Sequence, residues 1–147
     1  MIDYIGMLKE FHEKYGHHIN SMPTAYTSSF VRELRLKLMY EELRETETAL
    51  GQANLEKLLD GLADLLYVVF GTAVSYGLAP LLEEVFTEVH RSNMTKGGPT
   101  NEYGKTLKGD SWEPPKIKEI IKRHMDKYHH MSEYFPIEPR TAKGSLD

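Results

Sequence analysis

Cysteine is missing from this chain, and its absence removes a whole region of chemistry at once. Disulfides, thiolate nucleophiles and cysteine-based zinc sites are all excluded. Clustered basic charge is missing too. No run of Lys or Arg exceeds two residues, and 18 Lys and Arg stand against 22 Asp and Glu, for a net charge of −4. A nucleic-acid binder leaves a basic footprint, so no nucleic-acid partner is expected. Long apolar runs are also scarce. The longest, over 65–70, falls far short of the ~20 residues that cross a bilayer, and Met1-Ile2-Asp3-Tyr4 has neither a basic nor an apolar leader region. No membrane partner and a cytoplasmic location are the expectations, and the lack of cysteine suits them. Strand alternation and internal repeats are absent as well.

What the chain does have is helical periodicity, over a length suited to one domain. Ile2, Ile5, Leu8, Phe11 and Tyr15 recur at three- and four-residue steps over 2–15, and Gly16 is placed to end that helix. Residues 16–27 are irregular. A second helix is expected from a Ser/Thr cap within 27–29 to residue 50, with Gly51 as its stop and Val31, Leu34, Leu38 and Met39 as its stripe. The third, over 54–76, carries Leu55, Leu58, Leu59, Leu62, Leu65, Leu66, Val69 and Ala73. Its later turns are apolar nearly all round, which predicts the centre of a bundle and a subunit interface. Gly77 and Pro80 separate it from a fourth helix over 81–93, with Leu82, Val85, Phe86 and Val89 inward. Residues 96–105 read as loop and turn. Pro114-Pro115 then opens a short amphipathic helix through 125, using Ile117, Ile120 and Ile121. The reading is an all-α, four- to five-helix bundle in a single domain over 1–127, with an irregular C-terminal tail over 128–147.

Chemistry concentrates in Glu41-Glu42-Leu43-Arg44-Glu45 and in Asp60-Gly61-Leu62-Ala63-Asp64. Glu41 and Glu45 are four apart, as are Asp60 and Asp64, and residues at that spacing are neighbours on a helix surface. Like charges so placed weaken a helix unless something positive sits between them. Two such rows on adjacent helices would converge on one spot, an arrangement that bundles use to hold divalent metal. The bland alternative is a solvated acidic face. Asp64, however, lies on or beside the apolar stripe, where a carboxylate is costly unless paired or metal-bound. Either Arg32, Arg35 or Lys37 crosses over to it, or a cation does. Carboxylates without His or Cys favour a hard cation, with Mg²⁺ or Mn²⁺ beside phosphate the best fit and a structural Ca²⁺ the alternative, although no EF-hand loop is present. The histidines are poor ligand candidates: His17-His18 and His129-His130 fall in loop or tail, and His90 stands alone on the fourth helix.

A second cluster, Arg91-Ser92-Asn93-Met94-Thr95-Lys96, closes the fourth helix, with Lys105 and Lys108 soon after. Basic residues at a helix C-terminus are ordinary dipole partners. Beside a carboxylate site, Asn93 and Lys96 could also bond the oxygens of a phosphate chain. For a base pocket, His12, Phe30, Tyr67 and Trp112 are equal candidates, each of them equally a core residue.

Taken in order, Glu41-Glu42-x-x-Glu45, Asp64-Leu65-Leu66-Tyr67-Val68 and Glu88-Val89-His90-Arg91-Ser92-Asn93-Met94-Thr95-Lys96 resemble the all-α nucleoside triphosphate pyrophosphohydrolases, the superfamily of MazG, phosphoribosyl-ATP pyrophosphatase and the dimeric dUTPases. Phe11-His12, Lys105-x-x-Lys108-Gly109 and Pro114-Pro115 look like its MazG-like branch, and the resemblance covers residues 8–122. It implies a homodimer or dimer of dimers and Mg²⁺-dependent release of pyrophosphate from a nucleotide. A pyrimidine deoxynucleotide is the first expectation. Glu41, Glu42 and Glu45 match the first carboxylate motif and Asp64 the second. The family's second motif is Glu-x-x-Asp, and Gly61 stands where its glutamate would be. Asp60, next to it, is the substitute to test. By the same resemblance Glu41 or Glu42 orients the attacking water, and Asn93, Lys96, Lys105 and Lys108 hold phosphate. Two alternatives stay open: a pyrophosphatase for phosphoribosyl-ATP or a modified nucleotide, and a non-catalytic helical interaction module.

Overall fold

The computed structural model describes residues 2–134, with side chains described through Lys127. It is mostly helical. The chain divides into two compact units, Met1–Glu83 and Glu84–Asp147. In the first, α1 (Tyr4–Tyr15), α2 (Ser29–Gly51) and α3 (Leu55–Ser75) pack together. Their ends are set by local chemistry. Asp3 Oδ1 accepts the Gly6 amide at 2.8 Å, and Gly16 closes α1 in the left-handed conformation. Ser28 caps α2 through the Val31 amide, and Asn54 caps α3 through the Lys57 amide at 3.0 Å. Gly51, expected to stop α2, is instead its last helical residue. The left-handed turn falls on Ala53, at φ 50°, where an Ala gives no sequence signal.

The inward face of α2 is Val31, Arg35, Thr46 and Ala49, with Glu42 half-buried between Arg35 and Thr46. That of α3 is Gly61, Val68, Gly71, Val74 and Ser75, with Asp64 half-buried between Gly61 and Val68. Small residues let the two helices approach closely. The leucine stripe expected to bury α3 faces outward: Leu55, Leu59, Leu62, Leu66 and Val69 are all exposed within the chain. By length and composition alone α3 is apolar enough to cross a membrane, yet its contact face is turned onto α2.

One core position is polar. His12 is 1% exposed, and its Nδ1–H donates to the His18 carbonyl at 3.0 Å, which leaves Nε2 as an acceptor for Arg35 Nη1 at 3.4 Å. Arg35, also buried, reaches the Val68 carbonyl at 3.4 Å, and its Nε has no partner among the described residues. A Cβ on Gly71 would lie 2.9 Å from Arg35 Nη2 and 3.2 Å from His12 Nε2, so only glycine leaves room for this pair. Burial, then Arg35, His17 and His18 push the His12 pKa down, against the hydrogen bond that His12 donates to the His18 carbonyl.

The division between the units falls within α4 (Ala79–Met94). In the second unit a small antiparallel hairpin follows, β1 (Gly97–Thr100) with β2 (Thr106–Lys108), and then α5 (Ile117–Tyr134). The hairpin was not expected. Its strands are too short to alternate, and a Cβ on Gly98 would sit 2.5 Å from the Leu107 carbonyl oxygen, so backbone contact defines it. Helix α5 also corrects the expected stop at 125 and the tail from 128: it is helical to Tyr134, with neither Gly nor Pro in that stretch. Residues 135–147 lie outside the described residues, as do the side chains of His129 and His130.

Arg91 ties the second unit together. Its Nε and Nη2 hold both Glu88 oxygens at 2.9 Å, Nη1 reaches Glu113 at 2.8 Å, and Nη2 also donates to the Pro114 carbonyl. The Glu113 amide donates to Thr95 Oγ1, and Ser92 Oγ donates to the Glu113 carbonyl. With Arg91 and the Lys116 amide as donors, the Glu88 carboxyl is held down at about 2.

Candidate functional site

Successive helix residues are about 100° apart, so Glu41 and Glu42 cannot point the same way. Glu42 turns toward α3. Glu41 and Glu45 face a groove between α2 and α3, a cavity of about 820 Å³ that also takes in Asp60 and Gly61. Burial pushes the Glu42 carboxyl above its ordinary range, and the charges of Asp64, Glu45, Glu41 and Asp60 push it further. These are the five carboxylates singled out in the sequence. They share one electrostatic neighbourhood, with Asp64 the strongest partner of Glu42.

No Lys or Arg forms an ion pair with any of the five among the described residues. Arg32 and Arg35 do not cross to Asp64, and Arg35 is spent on His12 and Val68. The carboxylates do not form a ready-made ligand set either: among the described residues no three His, Cys, Asp or Glu stand close enough together to hold an ion. Five like charges keep apart. Still, an all-oxygen donor set with one member's pKa raised by burial and then by the other four fits a hard divalent cation, which would relieve the repulsion directly.

Gly61 explains the departure from Glu-x-x-Asp. It is buried, and a Cβ there would come within 2.7 Å of Thr46 Oγ1 and 3.3 Å of Thr46 Cα. The two helices touch at this point, and no glutamate side chain fits between them. Asp60, one residue away, is exposed, lines the groove and adds to the charge felt by Glu42.

Three cations line the groove: Lys37, weighed from the sequence only as a partner for Asp64, and Arg44 and Lys57, which the sequence reading did not assign to the site. Lys37 precedes Glu41 by four residues, and Arg44 precedes Thr48, another lining residue, by four. That spacing was the available signal. Interleaved with Glu41, Glu45 and Asp60, they keep the groove from being uniformly repulsive to an anion.

Asn93, Lys96, Lys105 and Lys108 do come together. They line a cavity of about 530 Å³ within the second unit, with Val89, Ser92, Leu107, Trp112 and Pro115 among their neighbours. Of the four base-pocket candidates, His12 is removed by burial and by its hydrogen bonds. Tyr67 packs edge-on against Phe11, with centroids 5.6 Å apart, and Phe30 is 75% exposed on α2. Trp112 lines the lysine cavity.

Against known proteins, a family model described as phosphoribosyl-ATP pyrophosphohydrolase matches residues 8–93, more than half of the chain. It takes in Glu41, Glu42, Glu45, Asp60 and Asp64 and ends at Asn93, before the hairpin. The chain is also 25% identical over 126 residues, 82% of its length, to an uncharacterized protein of Acanthamoeba polyphaga mimivirus. It spans 48% of that protein's length.

Proposed function

Because the chain belongs to the phosphoribosyl-ATP pyrophosphohydrolase family, we propose that it is a metal-dependent nucleotide pyrophosphohydrolase. The substrate class favoured is a nucleoside triphosphate, a pyrimidine deoxynucleotide first. The observation that carries the reading is the carboxylate neighbourhood of Glu42, whose charge no described Lys or Arg pairs. A surface decorated with acid would not half-bury Glu42 and Asp64 between two helices, nor leave them unpaired there. That counts against a non-catalytic interaction module.

Glu41, Glu42, Glu45, Asp64 and Asp60 would hold Mg²⁺ (or Mn²⁺). When bound, the cation would neutralise phosphate charge and acidify water. The rest is the work of the chain. Glu42 or Glu41 orients a water against the α-phosphorus and accepts its proton, and the raised pKa of Glu42 suits a proton acceptor. The bond from the α-phosphorus to the bridging oxygen breaks, and its electron pair leaves with the pyrophosphate. Asn93, Lys96, Lys105 and Lys108 are the proposed phosphate ligands, offering donors and positive charge to phosphate oxygens. The products are a nucleoside monophosphate and pyrophosphate.

The test is incubation with a panel of ribo- and deoxynucleoside triphosphates plus Mg²⁺, following the first product formed. Pyrophosphate with a monophosphate is expected, and none in EDTA. Phosphate with a diphosphate, or full activity in EDTA, would sink the mechanism. A second reading, phosphoribosyl-ATP as substrate, is favoured by the matched family's own description, and that nucleotide belongs in the same panel.

A further inference from the structure

The hairpin and the loop after it lie beyond the matched residues, yet they build a cavity with a distinct chemical character. Its polar lining is Ser92, Asn93, Thr106 and three lysines, with no carboxylate. Lys96, Lys105 and Lys108 form no ion pair among the described residues, in a chain whose net charge is −4. A volume of about 530 Å³ is in the range of small-molecule pockets. Lys108 Nζ rests 3.6 Å from the centre of the Trp112 ring, so the lysine lacks an anionic partner and the indole face is occupied by a cation.

We propose that this cavity takes a nucleoside polyphosphate, with the base stacked on Trp112 and Lys108 moving from the indole to a phosphate oxygen. The proposal rests on reading Asn93, Lys96, Lys105 and Lys108 as phosphate ligands, and adds the site of the base and the exchange that opens it. A phosphate oxygen offers Lys108 a charge-assisted hydrogen bond, stronger than its contact with a half-buried ring. Its departure frees a π-face for a base. The platform itself is fixed. The Trp112 amide donates to the Gly109 carbonyl at 3.1 Å, and the next residue, Glu113, is pinned to α4 through Thr95, Ser92 and Arg91. Stacking is tolerant of base identity because every base has a π-face. Trp112 would therefore hold nucleotides against inorganic polyphosphate without choosing among bases.

Trp112 is the sole tryptophan, so its emission reports on this cavity alone. The full-length protein is titrated in EDTA, to prevent turnover, with inorganic tripolyphosphate, dCTP and ATP, and followed by emission and calorimetry. Tripolyphosphate should alter the emission as Lys108 leaves, and both nucleotides should quench it further and bind tighter. Trp112→Leu should remove the nucleotide advantage, about tenfold for one lost base–aromatic stack, while tripolyphosphate affinity stays. Trp112→Phe should restore it. Equal binding of nucleotide and tripolyphosphate by the wild type, or an advantage kept by Trp112→Leu, overturns the stacking and leaves the phosphate reading standing. No binding of tripolyphosphate, or binding unchanged in the Lys96→Ala, Lys105→Ala double variant, overturns the phosphate reading and the proposal with it. Should Trp112→Leu fail to fold, identical wild-type emission changes with nucleotide and tripolyphosphate would overturn the stacking.

Discussion

At Glu42 folding and function make opposite demands. The residue is half-buried on the α2 face that meets α3, and burial first, then four other carboxylates, raise its pKa. A raised acid pKa means that the folded state binds more protons than the unfolded one, so this contribution to stability falls as pH rises above the ordinary value of 4.5. Removing the charge should therefore stabilise the metal-free protein. Glu42→Gln should lose turnover by at least ~100-fold, keep the helical circular dichroism, and raise the metal-free Tm by roughly 1–3 °C. A lower Tm would mean that the acid neighbours do not repel as argued. His12 carries the opposite sign. Its pKa is lowered by folding, so its contribution is complete above 6.5 and is lost as pH falls below that value. Protonation would also set a second cation against Arg35 Nη1. Thermal stability should decline from pH 7.5 to 5.5, and His12→Gln, which cannot titrate, should flatten that slope. Gly61→Ala should cost about 1–3 kcal/mol by overpacking against Thr46, outweighing the helix propensity gained.

Element by element, the helices were legible where an end had its own chemistry. Gly16, Asn54 and Gly77 marked their boundaries because a left-handed turn or a cap needs those residue types. Where an ordinary residue took a special conformation, as Ala53 does, the sequence was silent. The hairpin was illegible because backbone contact at Gly98 and Gly109 defines it and no side-chain alternation does. Helix α3 misled in another way. Its leucines do form a stripe, but the face packed on α2 is the one of small residues, and periodicity cannot say which apolar face a neighbour covers. Both acidic rows and the basic cluster were readable from spacing, whereas Lys37, Arg44 and Lys57 join the groove only once α2 and α3 are set side by side. The Arg91 latch was invisible too, since Glu113 and Pro114 meet it across more than twenty residues of chain, and only Glu88, three residues before it, is a local partner. Its role is measurable by hydrogen exchange. In Arg91→Ala the Glu113 and Lys116 amides, bonded to Thr95 and Glu88, should exchange faster while the amides of α1 stay as they were. Unchanged exchange at both would show that Thr95 and Ser92 hold the segment unaided.

For the molecule as a whole, the unresolved demand is apolar surface. Leu36, Tyr40, Leu43 and Leu50 on α2 and Leu55, Leu59, Leu62, Leu66 and Val69 on α3 are all exposed within the chain. Apolar surface on that scale marks an interface. We propose that a second copy covers it, completing a homodimer or dimer of dimers. At a two-fold interface each substitution counts twice. Replacing Leu59 and Leu62 by Asp then removes about four leucine burials, at ~1.5–3 kcal/mol each. The wild-type protein should sediment as a dimer or larger at micromolar concentration without detergent, and the double variant as a monomer. The length and apolarity of α3 supply a rival, because the same face could meet lipid. The two differ in what they require. A dimer face is satisfied in plain buffer, whereas a lipid face calls for detergent or vesicles to keep the protein dispersed. A monomeric wild type, or one that stays in solution only with detergent, would refute self-association through α3.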